Sequence, residues 1–213
     1  MRTSTGFASV TLAAALAAVL PVSASEENPP DTQLKQAQTL VKAFVGQLQP
    51  QLKAALKNGG PTYAIEVCAN TAPAIADSLA QASGWSVSRV SLQPRNPSRA
   101  QPDEWEKAIL ERFDERAAAG EAPANINYGA TVDGRYRYMQ AQGVQPICLT
   151  CHGETLSPDV AAALQQYYPD DTATGYTAGQ LRGAISVSAG CDNAGQTSLD
   201  GVCDTGIEQD NNS

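Results

Sequence analysis

Basic side chains are scarce in this sequence. Its 213 residues carry 14 Lys and Arg against 22 Asp and Glu, a net charge of −8. With no basic stripe to displace phosphate counterions, a nucleic-acid-binding role is excluded. Beyond residue 20 no stretch is apolar enough to cross a bilayer, so no span is expected in the body of the chain. No internal repeat occurs. There is one histidine, His152, which excludes any centre needing two imidazoles from one chain. The composition, 42% hydrophobic and 17% charged, is that of a globular protein, and the length suits one domain with a small extension.

Residues 1–24 read as a secretory signal. Arg2 gives a short basic start, Phe7 to Leu20 is an uncharged Ala/Leu-rich run, and Pro21 ends it. Val22-Ser23-Ala24 then supplies small residues at the cleavage-determining positions. The apolar run falls short of the ~20 residues that span a bilayer, which favours cleavage over anchoring. The mature chain is therefore expected to be exported and soluble, periplasmic or otherwise extracytoplasmic, where disulfides persist.

Residues 25–32 form a polar linker. Asp31 or Thr32 caps a helix with Leu34, Ala37, Val41, Phe44, Leu48 and Leu52 near helical spacing, and Pro50 is expected to kink or divide it. Asn58-Gly59-Gly60 is a stop, and Pro61 suits the first turn of a second helix. That helix carries Ile65, Cys68, Ala72, Ile75 and Leu79 and ends near Ser83-Gly84. From Trp85 to Leu92 the period becomes two, a strand with both faces partly covered. A Pro/Asn-rich loop, Gln93 to Pro102, leads to a helix starting at Asp103, with Trp105, Ile109 and Phe113 on one face. Ile126–Val132 and Arg135–Met139 flank Asp133-Gly134, a hairpin signal. A helix over Ser157–Tyr167 and a strand over Ala184–Ser188 complete an α+β domain, 33–188: helices first, then a small antiparallel sheet. Residues 189–213 are a Gly/Asp/Asn-rich extension.

Cys148-Leu149-Thr150-Cys151-His152 is a C-x-x-C-H motif. Two thiols at this spacing can add to the two vinyl groups along one haem edge, with the adjacent histidine reaching the iron as proximal ligand. An exported chain supplies the compartment where haem c is attached, so motif and signal reinforce each other. A redox-active C-x-x-C would sit in a βαβ context that is missing here. Zinc would need paired knuckles, and Cys191 and Cys203 are too widely spaced to make one. Cys191 and Cys203 read instead as a disulfide pinning the C-terminal extension, worth ~3 kcal/mol for such a loop, with two free thiols as the alternative.

The opposite face of the iron has few candidates. Met139 precedes the motif and shares a strand face with Arg135 and Arg137, so it reads as a sheet residue packing beside the haem. Cys68 is the odd thiol of five in an exported chain. It is either a small buried hydrophobe or an axial ligand. Pro73 leaves the Ala69 carbonyl without its helical donor and so opens the helix just after Cys68.

Several segments in order resemble one family. They are Ala64-Ile65-Glu66-Val67-Cys68, Ala72-Pro73-Ala74-Ile75-Ala76, Arg89-Val90-Ser91-Leu92, Arg95-Asn96-Pro97 and Trp105-Glu106. Cys148 to Gly153, Tyr168-Pro169-Asp170-Asp171-x-Ala173-x-Gly175-Tyr176 and Leu181 to Val187 continue the series. Over residues 33–188 the chain is similar to the c-type haem domains of PAS-like fold known from a cyanobacterial monohaem protein and from extracytoplasmic sensor parts of histidine kinases and chemoreceptors. One departure is Arg99-Ala100-Gln101-Pro102, where that family carries Asn-x-Pro.

The resemblance implies one covalent haem on Cys148 and Cys151, His152 proximal and Cys68 distal to the iron. A thiolate ligand stabilises ferric iron and lowers the potential. Arg89, Arg95 and Arg182 lie in the family-like segments as candidate propionate partners, Arg95 with a loop-bracing role as its alternative. Arg135 and Arg137 on the hairpin read as solvated surface residues. The expected function is a redox or small-ligand sensor, responding to a diatomic gas and signalling through a separate redox or signalling protein. The alternatives are a periplasmic electron carrier and a peroxidase-like enzyme. The last is disfavoured because no distal histidine or second haem motif exists, so the chain is expected not to be an enzyme.

Overall fold

A computed structural model describes residues 29–190. The expected signal (1–24), most of the linker, the C-terminal extension past residue 190 and the Cys191–Cys203 pairing lie outside the described residues. Among the described residues no helix is long and apolar enough to cross a membrane.

The chain opens with α1, Pro29–Ser83, two helical segments that meet at Gly60. Gly60 takes φ 71°, ψ −168°, a conformation that an L side chain resists, so the expected stop lies where Asn58-Gly59-Gly60 put it. The helix starts at Pro29, ahead of the expected Asp31 or Thr32 cap, because proline needs no N–H in a first turn. Pro50 neither kinks nor divides it by any non-helical dihedral. The carbonyl that Pro50 deprives belongs to Gly46, and both residues are exposed, so water can take the place of the missing donor.

Four strands follow: β1 (Ser86–Val90), β2 (Asn127–Val132), β3 (Arg135–Gly143) and β4 (Leu181–Ser188). They form one sheet in the order β1-β4-β3-β2, every pair antiparallel. Asp133 (φ 49°) and Gly134 (φ 73°) make the two-residue turn that closes the β2–β3 hairpin. Between β1 and β2 lie α2 (Pro97–Ala100), a single turn inside the expected loop, and α3 (Glu104–Ala118). Asp103 and Glu106 form a reciprocal capping box at the start of α3. After the sheet hairpin come α4 (Leu149–His152) and α5 (Pro158–Tyr167).

Both faces of the sheet are covered. On one, Phe44, Val41, Ala37 and Ile75 of α1 pack against Val87, Tyr138, Ile185 and Val187. On the other, Ile109, Leu110 and Phe113 of α3 pack against Val90, Met139, Ala141 and Ala184. Burying an aromatic such as Phe44 or Phe113 contributes roughly 1.5–3 kcal/mol. The architecture is the expected α+β, PAS-like one: a small antiparallel sheet with an N-terminal and flanking helices.

Met139 is the sheet residue expected, and the solvated reading of Arg137 is corrected. Met139 is fully buried against α3, in a cluster holding none of Cys68, Cys148, Cys151 or His152. Arg137 is not solvated: its side chain is 11% exposed, paired with Asp103 (2.6 Å) and Glu106 (3.2 Å) and set 4.4 Å from the Trp105 ring centroid. The capping box turns its two carboxylates toward β3, and Glu106 also accepts from Ser186 Oγ at 2.7 Å, tying α3 to the sheet centre.

Gly183 in β4 has φ 139°, and a side chain there would meet the Val90 carbonyl oxygen across the strand pair. Gly183→Ala should therefore cost about 2–4 kcal/mol in urea unfolding. Gly120→Ala, at φ 91° with open space around it, should cost only about 1 kcal/mol, since backbone strain is its sole penalty.

Candidate functional site

A 3-10 turn, Pro146–Cys148, runs directly into α4, so Cys148 and Cys151 stand three residues apart on one continuous helical turn and share a face. His152 is the last residue of that turn. Gly153 N donates to Leu149 O at 2.9 Å, and a Cβ at Gly153 would strike that same oxygen, so the turn closes only on glycine.

Backbone hydrogen bonds then hold the turn against a distant segment. Tyr176 N donates to His152 O (2.9 Å) and Gly175 N to Gly153 O (3.0 Å), while Thr172 N reaches Pro94 O (3.1 Å). Three stretches, 91–95, 148–153 and 171–176, are thereby bound together around the imidazole.

His152 Nδ1 lies 2.7 Å from Ala173 O, 3.0 Å from Arg95 Nη2 and 3.1 Å from Arg182 Nε. It cannot both donate to the carbonyl and accept from a guanidinium. An oxygen at 2.7 Å without an intervening proton would be repulsive, so we assign the proton to Nδ1, which leaves the lone pair on Nε2. Burial, then the Arg95 and Arg182 charges, push the imidazole down to about 2, with the Ala173 carbonyl opposing them. The ring therefore stays neutral over the whole physiological range. Tyr176 stands edge-on to it, centroids 6.3 Å apart at 84°.

The two arginines are themselves tied down. Arg95 Nη2 donates to Cys151 O and to Ala173 O (3.0 Å), its Nε lies 3.4 Å from Asp171 Oδ1, and Tyr168 lies beneath it with its ring centroid 5.9 Å away. That Nε is buried and makes no hydrogen bond. Arg182 Nη1 donates to Ser91 Oγ (2.9 Å) and Gln93 O (3.1 Å), and its guanidinium lies 5.5 Å from the Tyr176 ring centroid. Burial pushes Arg182 down to about 10, still cationic at neutral pH. Arg89 is exposed, with its guanidinium 6.0 Å from the Phe44 ring centroid.

The structure brings the three expected thiols together. Cys68, Cys148 and Cys151 are all free and half-buried. Burial pushes the Cys151 thiol up, Arg95 pulls it down, and Cys68 and Cys148 push it further up, so all three sulfurs share one field. Burial likewise raises Cys68, against Arg89 and Arg95. Cys151 packs with Ile65 of α1 and with Val160 and Leu164 of α5, whereas Cys148 packs with Val144, Ala173 and Tyr176. A groove of about 730 Å³ between α3 and residues 175–183 is lined by Leu110, Asp114, Tyr176 and Leu181 and by none of the thiols.

A family model for Tll0287-like proteins matches residues 12–189. The chain belongs to the Tll0287-like family. The match reaches upstream of the expected start at residue 33. Among solved structures, the chain is similar to one described as the crystal structure of the cyanobacterial heme-protein Tll0287. That likeness has a TM-score of 0.60 and 25% identity, and covers 79% of this chain and 100% of that one. No curated protein matches the chain.

Several residues of the site were invisible as such in the sequence. Ala173 acts through its backbone oxygen, which no side chain advertises. Asp171, Tyr168 and Tyr176 stand in a family-like motif that assigns them no role, and the sequence pattern marks Ser91 and Gln93 only as strand and loop.

The depressed imidazole makes a testable signature. In the chain free of any ligand, the unfolded state takes up a proton on His152 near pH 6.5 and the folded state does not. The stability this contributes is full above pH 6.5 and is lost as pH falls toward 2. Urea unfolding from pH 7.5 to 4.5 should thus show a steeper acid loss for wild type than for His152→Gln, the difference opening below pH 6.5.

Proposed function

We propose that this chain binds one haem, held covalently by Cys148 and Cys151, with His152 as proximal ligand and Cys68 facing it. In this reading the protein acts in an extracytoplasmic compartment as a redox or small-ligand sensor. The observation that carries the proposal is the His152 ring, held by Ala173 O on Nδ1 and free on Nε2, on the same turn as two free thiols and near a third. The donor set suits the group: soft sulfur and a neutral imidazole favour iron in a porphyrin. The orphaned Arg95 Nε and the exposed Arg89 guanidinium offer cationic donors for carboxylate side chains. Family membership and the likeness to a cyanobacterial heme-protein support the same reading.

When bound, haem supplies a one-electron ferric/ferrous couple. The chain's own residues do the rest. Cys148 and Cys151 fix the group so that export cannot dilute it away. Ala173 O keeps the proton on Nδ1 and the lone pair on Nε2. Cys68 sits between opposing influences, burial favouring the neutral thiol and Arg89 with Arg95 favouring the thiolate. In this reading Sγ, raised by burial, would release a proton when positive charge builds beside it and take one up when that charge falls. That exchange is the switch of the sensor reading, transmitted to a separate protein. Electron transfer is the second reading, favoured by Ile147, 46% exposed beside Cys148.

Expression of the full chain with a haem-maturation system tests this. Haem should survive acid–organic extraction in wild type and be released from a Cys148→Ala, Cys151→Ala double variant. Low-temperature EPR of the oxidised protein should show a low-spin thiolate signal that Cys68→Ala abolishes. A high-spin signal unchanged by that substitution would make Cys68 a packing residue. A spectral change on adding CO or NO to the reduced form speaks for sensing, and a reversible wave without ligand loss speaks for electron transfer.

A further inference from the structure

The imidazole of His152 has a cation on either flank. Arg95 Nη2 and Arg182 Nε stand 3.0 and 3.1 Å from Nδ1, the nitrogen turned away from any metal that Nε2 would bind. Neither guanidinium is loose: Arg95 is held by Cys151 O and Ala173 O, and Arg182 by Ser91 Oγ and Gln93 O. Structural bracing alone would be served by one arginine reaching backbone oxygens, whereas here two positive charges converge on a single ring nitrogen. Holding like charges so close costs electrostatic energy, and burial adds to it.

We propose that Arg95 and Arg182 are paired positioning residues behind His152, whose charges raise the midpoint potential of the haem that this histidine ligates. The inference rests on the haem reading above. Two effects act in the same direction. Fixed positive charge beside a ligand disfavours the ferric state, which carries one more positive charge than the ferrous. Arg95 also donates to Ala173 O, the very carbonyl that accepts the Nδ1 proton, so that carbonyl draws less on the proton and the imidazole gives less electron density to iron. The pair thus opposes the anionic Cys68 on the other side. Asp171, 3.4 Å from Arg95 Nε, compensates more of the Arg95 charge than of the Arg182 charge, and the hydrogen-bond acceptors of Arg182 are neutral. Arg182 carries the larger effect.

The test is the midpoint potential of the haem-loaded protein for wild type, Arg95→Gln, Arg182→Gln and the two Lys counterparts. Both Gln variants should fall below wild type, Arg182→Gln further, and the Lys variants should recover part of the drop. Unchanged potentials in haem-retaining Gln variants overturn the proposal. If a Gln variant does not keep haem, its Lys counterpart decides: a potential near wild type supports charge as the cause, and a potential well below wild type overturns it. Because the chain has a single histidine, 15N-histidine labelling of the haem-free full chain reports on one ring. A proton on Nδ1 is expected, and a proton on Nε2 overturns the proposal whatever the haem does. Failure of wild type to take up haem would instead sink the haem reading and leave this spectrum to be judged alone.

Discussion

The hydrogen bond from His152 Nδ1 to Ala173 O is the contact on which the rest of the site depends. It joins the C-x-x-C-H turn to a loop 21 residues further along and fixes which ring nitrogen keeps its lone pair. Around it, Arg95 reaches back from the segment after β1 to Cys151 O and to Ala173 O, and Arg182 reaches in from the first residues of β4. Each neutral hydrogen bond contributes only about 1 kcal/mol net, and those to charged donors about 1.5–3 kcal/mol. Their geometric consequence is larger than their energy, because together they fix the direction in which Nδ1 of the imidazole points.

The sheet and its two covering layers make this convergence possible. β4 lies between β1 and β3, so the segments leaving β1 and entering β4 are neighbours although about 90 residues separate Ser91 from Arg182. The second segment of α1 passes the same end of the domain, bringing Ile65 against α5 and Cys68 into the field of Cys151. On the far side of the sheet, α3 is fastened by Glu106, Arg137 and Ser186, and there Met139 is core and nothing more.

Local signals are legible where backbone preference is strong. The glycine pair at 59–60, the Asp133-Gly134 turn, the Asp103 start of α3 and the α5 boundary each follow from one or two residues whose backbone preference is strong. Expectations that rested on a local rule in a partly exposed setting fared worse. Pro50 does not break α1, since an exposed carbonyl at Gly46 loses little when its donor is gone. The hairpin position of Arg137 suggested solvent, but the carboxylates of a capping box from another element cover it. Strand ends shift in both directions: β3 extends to Gly143 and β4 begins at Leu181, because pairing with a central neighbour satisfies backbone groups that periodicity alone leaves ambiguous, whereas β1 shortens to Ser86–Val90 at the sheet edge.

The sequence by itself determined the chemistry that residue types and short spacings carry. Two thiols and an imidazole on one turn, and an odd cysteine on a helix, are legible because helical geometry converts spacing into direction. An α+β order of elements is legible because hydrophobic period distinguishes helix from strand. Tertiary structure alone decided which of the candidate arginines crowd the histidine, which backbone oxygen holds its proton, and that Cys68 shares a field with Cys151. Those facts depend on contacts between segments tens of residues apart, set by sheet order and by the burial of both sheet faces. No local propensity encodes such distances, since they emerge only when the whole core is packed at once.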